Sequence, residues 1–319
     1  MTEHHHHHHH DENCECGHHH DHAAESSKYD QMLAQYDLHL HDEIVQNEVR
    51  SLVEKCQAEN DTTEVKRFLF SCIELTSLRV TDNEDGILAF VERINRFTDA
   101  NPDFPTPAGI CVYPRFVSLV SQSLEADGMA VSTVTGGFPA SQTFPEVKTI
   151  ETALALKDGA TEIDTVMPVG YFLDGDYETV SDEIQELKAI CGEDVPLKVI
   201  LETGALQTAV NIKKAALMAI YSGADFIKTS TGKIEPGATP EAVYVMCQAI
   251  KDYFGKTGTR IGLKIAGGVR SSAQAVDYYS IVKEVLGKEW LTPTLLRIGA
   301  SGLANHLLSD IKGKSVTAF

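Results

Sequence analysis

The stretch Ala224-Asp225-Phe226-Ile227-Lys228-Thr229 is followed, after a glycine-containing loop, by an amphipathic segment at 240–254 and then by Ile261-Gly262-Leu263-Lys264-Ile265-Ala266. Two short apolar runs on either side of a helix-length segment describe a βαβ unit, whose strands are parallel because the connection crosses over the sheet. The alternation repeats outward from this unit. Further apolar runs lie at 68–76, 109–113, 129–135, 160–167, 197–203 and 295–300, which with 224–229 and 261–266 make eight candidate strands. Helix-like segments lie between them at 82–98, 145–157, 177–191, 209–222, 240–254 and 273–286. Thr81 with Glu84 resembles a capping box, and Thr239-Pro240-Glu241 places a cap residue before proline in a first helical turn. Roughly 250 residues follow position 62, the length a closed (β/α)8 TIM barrel requires. The open doubly wound sheet is the alternative α/β fold, but no G-x-G-x-x-G follows the first strand and no G-x-x-x-x-G-K-[ST] occurs.

The barrel is therefore expected over 63–319, preceded by two regions of different character. Over 27–62, Tyr29, Met32, Leu33, Tyr36, Ile44, Val45, Val49 and Leu52 recur at three- and four-residue steps among charged residues, as in an amphipathic helical extension on the surface. Over 1–26 no core can form and disorder is expected: eleven of the fourteen histidines lie there, with Cys14, Cys16, six acids and no Lys or Arg. Two readings of this segment stay open, a purification tag and a natural tail whose His4, Cys14, Cys16 and His18 bind Ni, Cu or Zn.

Composition narrows the functional classes. Of 319 residues, 43% are hydrophobic and 23% charged, the profile of a folded protein. Lys+Arg 27 against Asp+Glu 46 gives a formal charge of -19, which repels phosphate backbones and anionic lipid, so no nucleic-acid or membrane partner is expected. No apolar run approaches the roughly 18 residues of a membrane span, and the amino terminus lacks the apolar core of a signal peptide, so the expected location is cytoplasmic. The 7 cysteines are scattered, most of them in apolar stretches, as reduced thiols are.

Three strands carry ionisable side chains inside otherwise apolar runs: Asp164 in Glu162-Ile163-Asp164-Thr165-Val166, Lys228 and Lys264. The two lysines fall on consecutive parallel strands, about 4.8 Å apart. An isolated amine with a pKa of about 10.4 is protonated at neutral pH and cannot attack a carbonyl. A second cation about 4 Å away, at an effective dielectric near 20, opposes protonation by about 4 kcal/mol, or roughly three pKa units. Such a pair suits Schiff-base chemistry; the structural alternative is two salt bridges at a barrel mouth. Lys228-Thr229-Ser230-Thr231-Gly232-Lys233, Ala266-Gly267-Gly268-Val269-Arg270 and Ile298-Gly299-Ala300-Ser301-Gly302 each follow a strand. Taken singly each glycine reads as a turn residue. Three such loops at the strand 7 and 8 end of a barrel suit a small phosphorylated substrate.

These segments, with Ile110-Cys111-Val112-Tyr113-Pro114-Arg115-Phe116, Thr133-Val134-Thr135-Gly136-Gly137-Phe138-Pro139 and Ala160-Thr161-Glu162-Ile163-Asp164, closely resemble the deoxyribose-phosphate aldolases over about residues 65–310. The resemblance implies reversible cleavage of 2-deoxy-D-ribose 5-phosphate to D-glyceraldehyde 3-phosphate and acetaldehyde, in deoxyribonucleotide catabolism, through a lysine imine and without cofactor or metal. It implies Lys228 as nucleophile, Lys264 as the group that lowers its pKa, and Asp164 as a proton relay with Lys264 and an ordered water. Thr229, Gly232, Lys233, Gly267, Gly268, Ser301 and Gly302 match positions around the substrate phosphate. A transaldolase-like Schiff-base lyase is the alternative within the same fold.

Two departures stand out against that family. Glu74 occupies the first strand end where members commonly carry aspartate, which leaves its contact with substrate open. Many members end in a tyrosine that reaches the active site, whereas this chain ends in Val316-Thr317-Ala318-Phe319, with no hydroxyl on its last ring. If the tail enters the site, slower enamine proton exchange is expected. Cys111 is read as a buried small hydrophobe bordering the substrate and as a liability toward reactive aldehydes, with Cys111→Met expected to improve aldehyde tolerance. His306 is read as a packing or surface residue. A homodimer is the expected assembly on the base rate of isologous pairs.

Overall fold

Along each short strand the side chains alternate in direction, and the sequence sorts itself accordingly into an apolar outer face and a charged inner one. The computed structural model describes residues 27–319. Its strands are β1 (Ile73–Thr76), β2 (Gly109–Val112), β3 (Ala130–Thr135), β4 (Glu162–Val166), β5 (Leu197–Ile200), β6 (Phe226–Lys228), β7 (Gly262–Ala266) and β8 (Leu296–Ala300). They close in sequence order into one barrel, each parallel to the next, with β8 pairing back onto β1. The outer face carries Ile73, Leu75, Ile110, Val112, Ile163, Val199, Ile227, Leu263, Ile265 and Ile298, all buried against helical residues such as Ile94, Val117, Ile184, Leu217, Met246, Ile281 and Leu307. Each fully buried side chain of this size contributes about 1.5–3 kcal/mol, so this annulus between sheet and helices is where the fold gains its stability.

The helices are α1 (Lys28–Leu33), α2 (Asp42–Asn60), α3 (Thr63–Ser71), α4 (Glu84–Ala100), α5 (Val117–Ser123), α6 (Pro145–Lys157), α7 (Val169–Leu173), α8 (Tyr177–Cys191), α9 (Thr203–Leu206), α10 (Ala209–Tyr221), α11 (Pro240–Thr257), α12 (Ser272–Leu286) and α13 (Gly302–Lys312). α6 and α8 fill the segments expected of them, and the Thr239 hydroxyl caps α11 by accepting from the Ala242 N–H at 3.1 Å. Two expectations are corrected. The run at 68–76 is not one strand: the Thr62 hydroxyl accepts from the Val65 N–H and starts α3, so Phe68, Leu69 and Phe70 are helical and β1 begins only at Ile73. The cap of α4 is Asn83, whose Oδ1 accepts from the Gly86 N–H at 2.9 Å, so no Thr81 and Glu84 box forms.

The amino-terminal extension is helical but broken between α1 and α2, and it lies on the barrel rather than apart from it. α2 packs across α11 and α12. The Asn60 side chain donates to the Ser280 hydroxyl at 2.8 Å, Tyr244 to Glu48 at 2.8 Å, and the Ala209 N–H to Asp42 at 2.8 Å. At the other end the chain folds back along α13. The Asn305 side chain accepts from the Ala318 and Phe319 N–H groups and donates to the Phe319 carbonyl. The Phe319 ring joins Phe70 and Phe97 in an aromatic cluster, with ring centroids 6.3 and 5.1 Å away. The last ring therefore packs among the outer helices and not in the barrel mouth. No helix among the described residues is long and apolar enough to cross a membrane.

Candidate active site

The inner face brings seven ionisable side chains from six strands into one buried ensemble. Strand register puts Lys228 of β6 beside Lys264 of β7, and both reach inward to the same atom: their ammonium groups donate to Asp164 Oδ2 at 2.8 and 2.7 Å. Lys264 also pairs with Glu74 at 2.8 Å. The other oxygen of Asp164 accepts from Lys198 of β5 at 2.9 Å. Lys198 pairs further with Glu162 at 2.6 Å and Glu74 at 3.3 Å, and donates to the Ser132 hydroxyl at 3.1 Å. Beneath it, Arg297 of β8 grips Glu162 in a two-pronged contact at 2.9 and 3.0 Å. Four cations thus meet three carboxylates away from water, and loss of one proton from Lys228 would leave the set neutral.

The electrostatics follow from this packing. Burial alone would raise the carboxyl of Asp164, but the ammonium groups of Lys198, Lys228 and Lys264 outweigh it and hold that carboxyl well below the aspartate range. Glu74 feels the same opposition: burial pushes up, Lys198 and Lys264 pull down, and the result is about 2. Burial lowers Lys264 and Lys198, yet Asp164 and Glu74 more than compensate, so both are raised above the ordinary lysine value and stay charged at neutral pH. Burial raises the thiol of Cys111, which packs with Leu78 and Val134 beside Tyr113 and Phe138 at the upper rim.

Above this floor opens a cavity of about 570 Å3 lined by Lys228, Thr231, Gly232, Lys233, Gly267, Gly268, Arg270, Ser301, Gly302 and Arg79 among others. Four of these residues, Lys228, Lys233, Arg270 and Arg79, are cationic. Gly267 has φ +93°, and a side chain there would run into Gly237 at 3.1 Å, so glycine is what lets the two loops meet. α13 begins at the cavity with no side chain capping its first N–H groups, an arrangement that attracts anions. Gly299 of β8 makes room below: a Cβ there would stand 3.1 Å from Lys264 Cε.

Most of the residues singled out in the sequence converge here. Lys228, Lys264 and Asp164 share one contact point, and Gly232, Lys233, Gly267, Gly268, Ser301 and Gly302 line the cavity. Thr229 does not line it. Its hydroxyl donates to the Ala266 carbonyl and accepts the Ala266 N–H, stapling β6 to β7. Glu74 is held by lysines within the barrel floor. Lys198, Arg297 and the full role of Glu162 were missed, although Leu197-Lys198-Val199-Ile200 and Leu296-Arg297-Ile298 carry the same signal, a charge within an apolar run. Among the described residues no group of His, Cys, Asp or Glu is arranged to hold a metal ion; His4, Cys14, Cys16 and His18 lie outside the described residues.

Known proteins bear directly on this arrangement. The family described as DeoC/LacD family aldolase matches residues 88–288. The chain belongs to this aldolase family. It is 48% identical to human deoxyribose-phosphate aldolase over 209 residues, 65% of this chain and 64% of that protein, so the match spans a little under two thirds of the human protein's length. To bovine deoxyribose-phosphate aldolase it is 40% identical over 252 residues, covering 76% and 78% of the two chains. Among solved structures, the apo form of a candidate deoxyribose-phosphate aldolase from Toxoplasma gondii ME49 superposes with a TM-score of 0.70 at 27% identity, covering 79% of this chain and 98% of that one. A barrel of the DeoC/LacD family thus holds the paired lysines on its inner face.

Proposed function

We propose that this aldolase cleaves 2-deoxy-D-ribose 5-phosphate reversibly to D-glyceraldehyde 3-phosphate and acetaldehyde through an imine on Lys228. The observation that carries this reading is the meeting of Lys228 and Lys264 at one oxygen of Asp164, on the floor of a cavity whose rim is cationic and glycine-rich. Lys228 gives up a proton to water in the open cavity, which leaves the ensemble neutral, and its free amine adds to the C1 carbonyl of the open-chain sugar, giving a carbinolamine. Loss of water, aided by proton donation from Lys264 through Asp164, yields the iminium. The C2–C3 bond then breaks as the C3 hydroxyl gives up its proton: its electron pair flows into the iminium to form an enamine, and glyceraldehyde 3-phosphate leaves. Protonation at C2 and addition of water release acetaldehyde and restore the amine.

Asp164 tempers the direct repulsion that the sequence suggested between the lysines. By accepting from both, it is placed to shuttle a proton between them, and Lys264, held charged by two carboxylates, remains the acid. The chemistry uses a lysine imine and asks for no metal or other cofactor. The phosphate is placed against Lys233, Gly268 and the open end of α13, within reach of Arg270. A cytoplasmic setting belongs to the same reading and is supported by the free thiols of the five described cysteines.

Self-association as a homodimer is part of the proposal too. Phe144, Val147, Ile150 and Leu154 form one stripe along α6 that is 46–74% exposed. Two antiparallel copies of this helix would bury both stripes and bring Glu146 of each toward Lys157 of the other. Native mass spectrometry is expected to show a dimer that Ile150→Lys dissociates; a monomeric parent protein removes this part of the proposal.

The chemistry itself is tested by borohydride reduction in the presence of deoxyribose 5-phosphate, followed by peptide mass spectrometry. A reduced adduct on Lys228 is expected. No adduct, or one on another lysine, overturns the mechanism.

A further inference from the structure

We propose that Glu202 is a positioning residue for phosphate recognition, fixing the loop after β6 from the side that faces away from the ligand. The inference rests on the phosphate site just proposed and adds to it a residue that does not touch substrate. Glu202 follows β5 and is 2% exposed, with a left-handed backbone at φ 59°, ψ 64° that residues other than glycine seldom adopt. Its carboxylate accepts twice from one residue: Oε1 from the Thr231 N–H at 3.2 Å and Oε2 from the Thr231 hydroxyl at 2.6 Å. The Thr231 hydroxyl oxygen in turn accepts from the Lys233 N–H at 3.1 Å. A continuous chain of hydrogen bonds therefore runs from Glu202 through Thr231 to the backbone of Lys233, and Gly232 and Lys233 line the cavity.

The charge of Glu202 has the wrong sign for its neighbourhood. No Lys, Arg or His pairs with it among the ion pairs of the described residues, and a buried anion beside an anion-binding loop opposes the ligand. Such a group is accounted for by geometry: two acceptor oxygens clamp one N–H and one O–H together and turn the next two residues toward the cavity. The Thr231 N–H, spent on Glu202, and the Lys233 N–H, spent on the Thr231 hydroxyl, are both withheld from the phosphate, which leaves the Gly232 N–H and the Lys233 ammonium as the donors this loop offers. The left-handed backbone aims the side chain across from β5 to the β6 loop, reinforced by the Thr203 N–H donating to the Thr229 carbonyl at 2.9 Å.

The test compares kcat/KM for deoxyribose 5-phosphate with kcat/KM for unphosphorylated deoxyribose, as a ratio that does not depend on the fraction of folded enzyme. Glu202→Ala is expected to lower this ratio 10- to 100-fold, mainly through KM of the phosphorylated sugar, and to weaken the binding of inorganic phosphate in calorimetry by a similar factor. Glu202→Gln, which keeps an acceptor for the Thr231 N–H, is expected to lose less. Thr231→Val is expected to reproduce the Glu202→Ala loss, and the double variant to add little to either single one. A ratio and phosphate affinity that stay at the parent value in Glu202→Ala overturn the proposal, as do a Glu202→Gln loss larger than that of Glu202→Ala and full additivity in the double variant. Trapping of acetaldehyde on Lys228 by borohydride, run on the same samples, reports separately on the imine mechanism. Its failure in the parent enzyme would sink that mechanism, while the phosphate calorimetry would still decide the part assigned to Glu202.

Discussion

The two faces of the same eight strands are built by opposite rules. On the outer face Ile73, Ile163, Val199, Leu263 and Ile265 pack against helices with no polar atom to satisfy. One residue along, about 3.8 Å of backbone away, the inner face of these strands carries Glu74, Glu162, Asp164, Lys198 and Lys264, each buried and each matched to an opposite charge. A buried ion pair repays its desolvation poorly compared with well-packed apolar groups of similar volume, so stability does not explain the inner face. The division teaches that the helical shell bears the fold, which leaves the barrel interior available for groups chosen by reactivity.

The sharpest break in this contrast is Asp164→Asn, which keeps the shape and removes the charge that Lys198, Lys228 and Lys264 share. Turnover of deoxyribose 5-phosphate is expected to fall about 10²- to 10⁴-fold, in line with loss of a general acid–base group, and retention of more than half the parent kcat would refute the relay. Arg297→Met is expected to cost about 3–5 kcal/mol in urea unfolding because Glu162 loses its two-pronged partner. The double variant with Glu162→Met should recover part of that; recovery of none would show that the pair is held by something other than mutual charge.

On the outer face, Ile265→Ala is expected to cost about 2–5 kcal/mol in the same measurement with near-parental kcat at low temperature. A kcat loss matching that of Asp164→Asn would erase the distinction between the faces. The acid limb of stability belongs to the inner face. Because Glu74 sits at about 2 in the folded protein against an ordinary 4.5, its contribution is fully present above 4.5 and is lost as pH falls from there toward 2. Asp164, also depressed, acts in the same direction. Thermal midpoints measured from pH 7 downward should therefore hold until about 5 and then drop; a decline starting near pH 6.5 would point to other groups. The smallest effect is expected from Phe319→Tyr. With the ring packed on Phe70 and Phe97, solvent deuterium incorporation into acetaldehyde should be unchanged, and acceleration would mean that the tail visits the mouth.

What could be read from the sequence follows the same division. Alternation of apolar runs and amphipathic segments is enforced by packing along the whole chain, so the eight-stranded barrel was legible, and helices such as α6 and α8 were legible to the residue. The first strand was not, since an unbroken apolar run reads alike as a buried helix end or a strand, and Phe68 to Ser71 went to α3. Lysine within an apolar strand announced Lys228 and Lys264. That Asp164 would stand with them came from the family resemblance and could not be read from spacing, because it comes from β4 across the barrel interior, and proximity there depends on closure of the sheet. Glu202 left no local trace at all: a left-handed glutamate looks like any other in a string of letters, and only the fold shows which hydroxyl it holds.

Gly299 shows how far this goes. The stem of Lys264 runs past the spot a methyl group would fill, so part of the reactive centre is specified by an atom the chain omits. Two barrels could share every charged residue described above and still differ in reactivity through that one vacancy, and an inventory of ionisable groups would rank them as equals.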